Sequence, residues 1–292
     1  MTSLAKLLKD PPPSCAFELS EAGVAFAKIG DQVQPSFEAF EEPLLSVSPV
    51  HDNVQNAEAL QAKINQVAPS NGHRKRRAAL ILPDYAARVA VLDFDAFPSN
   101  PEEQIALVRF RMKKSVPFDV DTALLSYSAQ PATNSKKIEV VVAIMAREIV
   151  TRYEAPFRAL GILPGFVTTS ALAMLNLIQP EGLRIAAKLT GRTLTAMVLD
   201  GSVLKLVRCV EMADDSQEEI EDVLHPTVAY IEDELATKPN RILLCGFGAR
   251  SADLAREWEE HWDVRVEQLQ SRLGMLGQNN AGLLGYLESA KG

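Results

Sequence analysis

The chain has 292 residues, of which 47% are hydrophobic and 23% are charged. It is therefore long enough for one large globular domain or for two lobes that each bury a core. The formal net charge of −8 argues against nonspecific nucleic-acid binding as the main task. The chain has no run of about 18 apolar residues, and its first residues lack the apolar core of a signal peptide. We therefore expect a cytoplasmic protein.

Cysteine and histidine positions give no sign of a metal or nucleophilic site. The cysteines lie far apart in apolar, strand-like runs, which predicts buried thiols in a reducing compartment. The histidines are scattered and have no paired spacing, so we predict neither catalytic residues nor metal ligands. The positions are Cys15, Cys209, Cys245, His51, His73, His225 and His261.

The first third of the chain predicts a tail followed by a compact α/β lobe. Residues 1–14 carry three leucines on one helical face, and the PPP that follows stops any helix. This segment is interpreted as a tail that packs on the body or frays, with a short docking helix for a partner or a membrane surface as the alternative. Apolar runs and turns then predict strands at 15–19, 23–30 and 33–40, a helix at 53–68 and a buried strand at 78–84.

The middle of the chain predicts a separate order of elements. A helix over 99–114 has strong start signals, because Ser99 or Asn100 can cap it and Pro101 suits its first turn. A second helix, over 147–161, is expected to be interrupted or kinked at Pro156. After it, ILPGFVTTS leads into the helix ALAMLNLI. The accompanying strands are predicted at 88–97, 122–130 and 137–145.

From residue 183 the N-terminal pattern starts again. Three strands are predicted over 184–212, and an Asp200–Gly201 turn joins the last two. A mostly helical segment, a strand with a glycine turn and helix, a short strand and a final helix follow. The repeat predicts a duplicated α/β chain. Its parts are a tail at 1–14, a first lobe at 15–84 returning at 161–182, an inserted subdomain at 85–160, and a second lobe at 183–292 with a short insertion at 211–240.

This order of elements resembles the PilM family of type IV pilus assembly proteins, within the actin-like ATPase superfamily that includes FtsA. The resemblance covers roughly residues 15–288. It is carried by RVAVLDFDAFP, EEQIALVRFRMKKSVPFDVDTALLSYS and KIEVVVAIMAREIVTRYEAPFRALGILPGFVTTSALAML, and by the tail CGFGA…AGLLGYL. It implies an actin-like, ribonuclease H-like duplicated fold of two lobes with an inserted FtsA/PilM-type subdomain.

The resemblance also implies a partner. PilM proteins bind the cytoplasmic tail of the membrane protein PilN in a groove between the first lobe and the inserted subdomain, and they link the membrane platform to other pilus platform or motor proteins. This protein would then lie in the cytoplasm, peripheral to the inner membrane through its partners. The groove segments expected here are the 88–97 strand and the 101–114 helix.

The first phosphate hairpin of the family, D-I-G-S-S-S-I-K, is only partly kept here. The acid persists as Glu18, but the first glycine is Ser20 and the lysine is Ala25. Glu21 places a negative charge where phosphate would lie, and Gly23 follows it in the same hairpin. The hairpin is therefore interpreted as the remnant of a phosphate loop.

The second hairpin departs further from the family. Lys188 stands where the family has its second carboxylate, and a lysine cannot hold Mg²⁺. Phe247 adds bulk to the adenosine turn. We therefore expect a pseudo-ATPase with no cofactor, although Lys188 and Arg192 leave ATP binding without turnover as an alternative. The other positions aligned with the nucleotide cleft are Thr190, Gly191, Arg192, Gly246 and Gly248.

The basic end of the 99–114 helix is the candidate partner surface. Its cations could attract an acidic tail or a membrane surface, or could simply be a solvated face. They are Arg109, Arg111, Lys113 and Lys114.

Three functions stay open at this point. The first is a non-catalytic scaffold of a pilus or related secretion platform. The second is an actin-like ATPase switched by ATP. The third is a cytoplasmic component of type II secretion, similar to GspL.

Overall fold

The structure is a computed structural model that describes residues 11–30, 33–69, 75–131 and 137–291. Its described strands form three sheets, two of five strands and one of three. The predicted N-terminal docking helix falls mostly on residues 1–10, which lie outside the described residues. Within the described ranges, no helix has both the length and the apolar composition needed to span a membrane.

The first lobe is built on a five-stranded sheet with the order β3-β2-β1-β4-β8. β1 pairs antiparallel with β2 and parallel with β4, so the predicted meander and the buried strand share one sheet. The first helix begins four residues later than expected, because the side chain of Asn56 accepts the amide of Ala59 and caps it there. The elements are β1 Cys15–Ser20, β2 Gly23–Lys28, β3 Ser36–Ala39, α1 Ala57–Val67, β4 Arg76–Leu82 and β8 Ile162–Thr169.

The second lobe repeats this arrangement. Its sheet has the order β11-β10-β9-β12-β13, with β9 antiparallel to β10 and parallel to β12. The short insertion predicted at 211–240 is one helix. The elements are β9 Leu183–Thr190, β10 Thr193–Asp200, β11 Val203–Glu211, α5 Gln217–Leu235, β12 Arg241–Cys245, α6 Ser251–Trp262 and β13 Arg265–Gln268.

The inserted subdomain is a three-stranded sheet, β5-β7-β6, covered by one helix. Val108 and Met112 on α2 are buried against the even-numbered residues of β7, such as Val142. On its other side the subdomain is attached to the second lobe. There Gln130 exchanges two hydrogen bonds with the backbone of Leu204, at 2.7 and 2.8 Å. The elements are β5 Arg88–Phe94, α2 Pro101–Met112, β6 Leu124–Ala129 and β7 Ile138–Met145.

The next helix, α3 Arg147–Ala159, packs mainly on the first lobe. Ile149, Tyr153 and Phe157 belong to the same core as the first sheet. The helix runs through Pro156 without the predicted interruption. The packing thus groups α3 with the first lobe, whereas the sequence placed it in the inserted subdomain at 85–160.

Strand β8 was not predicted, because its sequence contains Pro164 and Gly165. Two features of the sheet accommodate them. β8 lies at the edge of the sheet, where proline breaks no ladder, and its register shifts between Ala78 and Ala79 so that Gly165 is passed over.

The last helix, α7 Ala281–Lys291, returns to the first lobe. Leu283, Tyr286 and Leu287 pack with the small residues of β1, β2 and β4, such as Ala16, on the face of the sheet opposite to α1. A short helix, α4 Ser170–Met174, lies against α7 and links the two lobes. The final helix of the segment predicted as the second lobe, 183–292, therefore packs in the first lobe.

Candidate functional site

The two predicted hairpins face each other across a cleft between the lobes. The cavity there measures about 90 Å³. The β1–β2 turn, Asp84 and Ser170 line it from the first lobe, and Lys188, Thr190 and Gly191 line it from the second. Of the predicted cleft residues, the structure brings together Glu18, Ser20, Lys188, Thr190 and Gly191.

Glu18 is buried and fully engaged by protein donors. The hydroxyl of Ser170 donates to its Oε1, and the amide of Leu283, near the start of α7, donates to its Oε2 at 2.7 Å. Burial raises the pKa of Glu18 above its ordinary value, although the charge of Lys188 and these hydrogen bonds act in the opposite direction. Glu18 is thus a structural acceptor that joins β1, α4 and α7.

Asp84 is the functional residue that the sequence reasoning missed. It follows β4, which runs parallel to β1, so it reaches the same edge of the sheet as Glu18. Its Oδ1 accepts the amide of Ala171 at 2.6 Å, and its Oδ2 accepts from Lys188 at 2.8 Å and from Thr195 at 3.4 Å. The sequence signal that could have identified Asp84 is a carboxylate that closely follows a buried strand.

Lys188 joins the two lobes at the centre of the cleft. Its side chain is 2% exposed and that of Asp84 is 4% exposed. The ammonium group donates to Asp84 and also to the hydroxyl of Thr190 at 2.7 Å. Burial lowers the pKa of Lys188, but the negative charges of Asp84 and Glu18 raise it by more, so the net pKa lies above the ordinary value. Lys188 is therefore protonated, and its positive charge offsets the acidic groups of the cleft.

Glu21, in the β1–β2 turn, lines the cavity and is also hydrogen-bonded within the first lobe. The Oε1 atom of Glu21 accepts the amide of Val47 at 2.9 Å, which ties the turn to the loop before α1. Ser20 closes the same turn through a hydrogen bond from its hydroxyl to the carbonyl of Gly23. Gly23, also a predicted cleft residue, does not line the cavity. A Cβ at Gly23 would meet the ring of Phe37 at 2.6 Å.

The remaining predicted cleft residues lie elsewhere in the second lobe. Arg192 forms an exposed ion pair with Glu211 at 3.1 Å and does not line the cavity. Gly246 adopts φ +84°, and a Cβ there would meet the carbonyl oxygen of Leu189 at 2.0 Å. The turn thus packs tightly on its own lobe.

Phe247 and Gly248 complete this glycine turn. The ring of Phe247 turns inward and meets the ring of Trp258 edge-on at 6.0 Å. Gly248 adopts φ +59° and has open space around it, but it does not line the cavity.

Mg-ATP does not fit the residues present in this cleft. Ligand pockets for small molecules usually enclose about 300–1,000 Å³, several times the volume found here. A metal would have to compete for Asp84 with an ammonium group already bound to it. Among the described residues, no group of three or more His, Cys, Asp or Glu side chains is arranged to hold a metal.

A second concave site lies between the first lobe and the inserted subdomain. This groove has a volume of about 360 Å³ and is lined by β6 residues 124–126, β7 residues 143–145, β8 residues 166–169, Val150 and Leu172. β6 and β8 are edge strands of their sheets. The expected groove segments, 88–97 and 101–114, do not line it.

Apolar side chains stand exposed along the groove. Phe166 is 46% exposed and Leu124 is 36% exposed. The groove therefore offers both apolar contacts and unpaired edges of two sheets.

The four cations of the predicted basic surface at the end of α2 differ in their exposure to solvent. Arg111, Lys113 and Lys114 are exposed. Arg109 is half-buried and donates to the carbonyl of Ala123 at 3.2 Å, so it serves the subdomain core more than the surface.

Two sheets of the same topology, separated by a cleft and joined by a returning helix, define the actin-like fold, and solved structures of that fold match the chain. One of these is a chain in the PilM–PilN type IV pilus biogenesis complex. The match covers 96% of this chain and 99% of that chain, with a TM-score of 0.74 and 16% identity. A protein of Bacteroides thetaiotaomicron with an actin-like ATPase fold and unknown function matches 91% of this chain and 93% of its own, with a TM-score of 0.55 and 13% identity.

A further solved structure is the cytoplasmic domain of EpsL, an inner membrane component of the type II secretion system of Vibrio cholerae. It matches 79% of this chain and 80% of its own, with a TM-score of 0.49 and 13% identity. No protein-family model matches the sequence, and no curated protein matches it significantly. The predicted actin-like fold with an inserted subdomain is confirmed, as is the resemblance to PilM at the level of the fold.

Proposed function

We propose that this protein is a non-catalytic scaffold of a type IV pilus assembly platform and that it holds the cytoplasmic tail of a PilN-like membrane protein. The observation that carries the proposal is the buried Asp84–Lys188 ion pair at the centre of the cleft. In the complex of similar fold, PilM is found together with PilN. The protein would then be cytoplasmic and reach the inner membrane through this partner.

The ion pair supports loss of catalysis for an energetic reason. Nucleotide hydrolysis in such a cleft would need carboxylates free to organise Mg²⁺ and water. Here Glu18 accepts two hydrogen bonds and Asp84 accepts three, all from the protein itself. Removing the ammonium group from Asp84 would leave a buried charge without a partner, which typically costs about 3–5 kcal/mol.

The groove between β6 and β8 supports the binding of an extended peptide. An edge strand can pair with an added strand through main-chain hydrogen bonds, while alternate side chains enter apolar pockets. The exposed Leu124 and Phe166 would contact such side chains. A cytoplasmic tail with apolar residues at every second position fits this site.

The loss of catalysis is tested by calorimetric titration of nucleotide-free protein with Mg-ATP. We expect no heat of binding and no shift in the melting temperature at millimolar ATP. Micromolar binding would contradict the proposal and would favour a nucleotide-switched ATPase.

The partner is tested with a fluorescent peptide of a PilN-like cytoplasmic tail from the same genome, by fluorescence polarisation. Leu124→Glu should weaken binding at least about tenfold, because it places a charge in an apolar contact. Ile138→Glu is the matched control, since Ile138 has the same 36% exposure on the same sheet and does not line the groove. Equal affinities for the two variants would exclude the groove as the binding site.

A further inference from the structure

Helix α2 exposes an aromatic ring on the side facing away from its own core. Val108 and Met112 are buried against the sheet of the inserted subdomain. At about 100° per residue, Phe110 lies on nearly the opposite side of the helix. Its side chain is 74% exposed, the highest exposure of any described phenylalanine. The helix thus has one apolar face in the core and an aromatic residue in water.

Cations surround this ring. At the same helical spacing, Lys113 and Lys114 follow Phe110 by three and four residues and flank it on both sides. Arg111 lies further round, with its guanidinium 5.2 Å from the centre of the Phe94 ring. Within the described part of the chain, none of these three cations forms an ion pair with a carboxylate. The four residues Phe110, Arg111, Lys113 and Lys114 are called the Phe110 surface below.

We propose that the Phe110 surface binds an anionic lipid bilayer. Basic residues are attracted to the negative charge of anionic headgroups, and an aromatic ring that enters the interface buries its apolar area there. The chain as a whole carries a net charge of −8, so it must approach such a bilayer through a locally positive face. The Phe110 surface provides one.

A bilayer fits this surface better than an acidic peptide does. Phe110 stands on the outward side of a helix, and it lines neither the cleft cavity nor the groove between β6 and β8. An acidic peptide would meet the cations but would give the ring no apolar surroundings. The proposal goes beyond the scaffold function and does not depend on the peptide groove.

The size of the effect follows from the number of groups. Each Lys or Arg near an anionic membrane contributes roughly fivefold to binding, so Lys113→Gln with Lys114→Gln should weaken it about 25-fold. Phe110→Ser should weaken it about tenfold through lost apolar burial. Added salt should reduce binding, because it screens exposed charges.

The test is flotation of the full-length protein with vesicles of phosphatidylcholine alone or mixed with phosphatidylglycerol. We expect binding to the mixed vesicles only, weakened in Phe110→Ser and in the double glutamine variant. Lys238→Gln with Lys291→Gln is the control, since it removes the same charge from two exposed lysines elsewhere and should leave binding intact. All variants should keep the wild-type melting temperature, because the replaced side chains are exposed.

Two results would overturn the proposal. The first is no binding to the mixed vesicles at low salt. The second is equal loss of binding in the control and the Phe110-surface variants, which would indicate a general charge effect. The protein could also bind a polyglutamate peptide but not the vesicles. If the double glutamine variant then lost the peptide, the surface would be assigned to an acidic protein partner instead.

Discussion

Replacing Lys188 by methionine should strongly destabilise the folded protein. At 2.8 Å and an effective dielectric constant of about 20, the Lys188–Asp84 attraction is about 6 kcal/mol before the cost of removing both groups from water. Lys188→Met leaves the carboxylate of Asp84 buried without its countercharge. Asp84→Asn leaves the ammonium group of Lys188 buried without the carboxylate that it binds. Each single variant should therefore lose about 3–5 kcal/mol of unfolding free energy.

The double variant, Lys188→Met with Asp84→Asn, separates this explanation from simple loss of packing. It removes both members of the ion pair and leaves only Glu18 without the nearby charge of Lys188. Its stability should therefore recover most of the loss, and the coupling free energy should reach about 3 kcal/mol. Urea unfolding at neutral pH, followed by tryptophan fluorescence of Trp258 and Trp262, measures all four proteins. Additive losses below about 1 kcal/mol would refute the reasoning, because they are typical of an ion pair in contact with water.

Three further predictions concern the cleft, the glycine turn and the insertion. Glu18 has a raised pKa in the folded protein, so its ionisation opposes folding and stability is lost as pH rises from about 4.5 through the folded pKa. Glu18→Gln should lack this loss, so its stability relative to wild type should rise with pH in thermal melts; a constant difference would contradict the raised pKa. Gly246→Ala should lower the free energy of unfolding by about 2–5 kcal/mol, because a Cβ there would meet the carbonyl oxygen of Leu189. Gly201→Ala is the control and should lower it by only about 1–2 kcal/mol, because Gly201 also has a positive φ but has open space around it. Equal losses in chemical denaturation would rule out the close contact. Gln130→Ala should cost about 1–3 kcal/mol and speed hydrogen exchange of its β11 amide partner, since it leaves two backbone groups unpaired; unchanged exchange would show that these bonds do not hold the insertion in place.

The sequence predicted the elements of both lobes well, because each lobe has the apolar runs and turn residues of a meander. The Asp200–Gly201 turn was found this way. In the inserted subdomain, Ser99 or Asn100 was expected to cap α2, and Asn100 is the cap. β8 was missed, since Pro164 and Gly165 contradict a strand unless the sheet supplies an edge and a register shift. Such compensation is a property of the assembled sheet and not of the segment.

The candidate site was only half visible in the sequence. Glu18 and Lys188 were found by aligning the two hairpins with the family, but the partner of Lys188 was not. Asp84 lies 104 residues away along the chain, and only the parallel pairing of β1 with β4 brings it to the cleft. Likewise, the apolar face of α3 predicted a helix but gave no information on which of two sheets it covers.

The return of α7 to the first lobe affects how the protein is made. The amide of Leu283 and the carboxylate of Glu18 are 265 residues apart in the chain, yet they meet inside the first core. At a synthesis rate of about 5–20 residues per second, roughly 13–53 seconds pass between the synthesis of β1 and that of the helix that covers it. The nascent first lobe therefore exposes a strip of small apolar side chains until the final residues emerge, and a chain that terminates early leaves that strip open to chaperones and proteases.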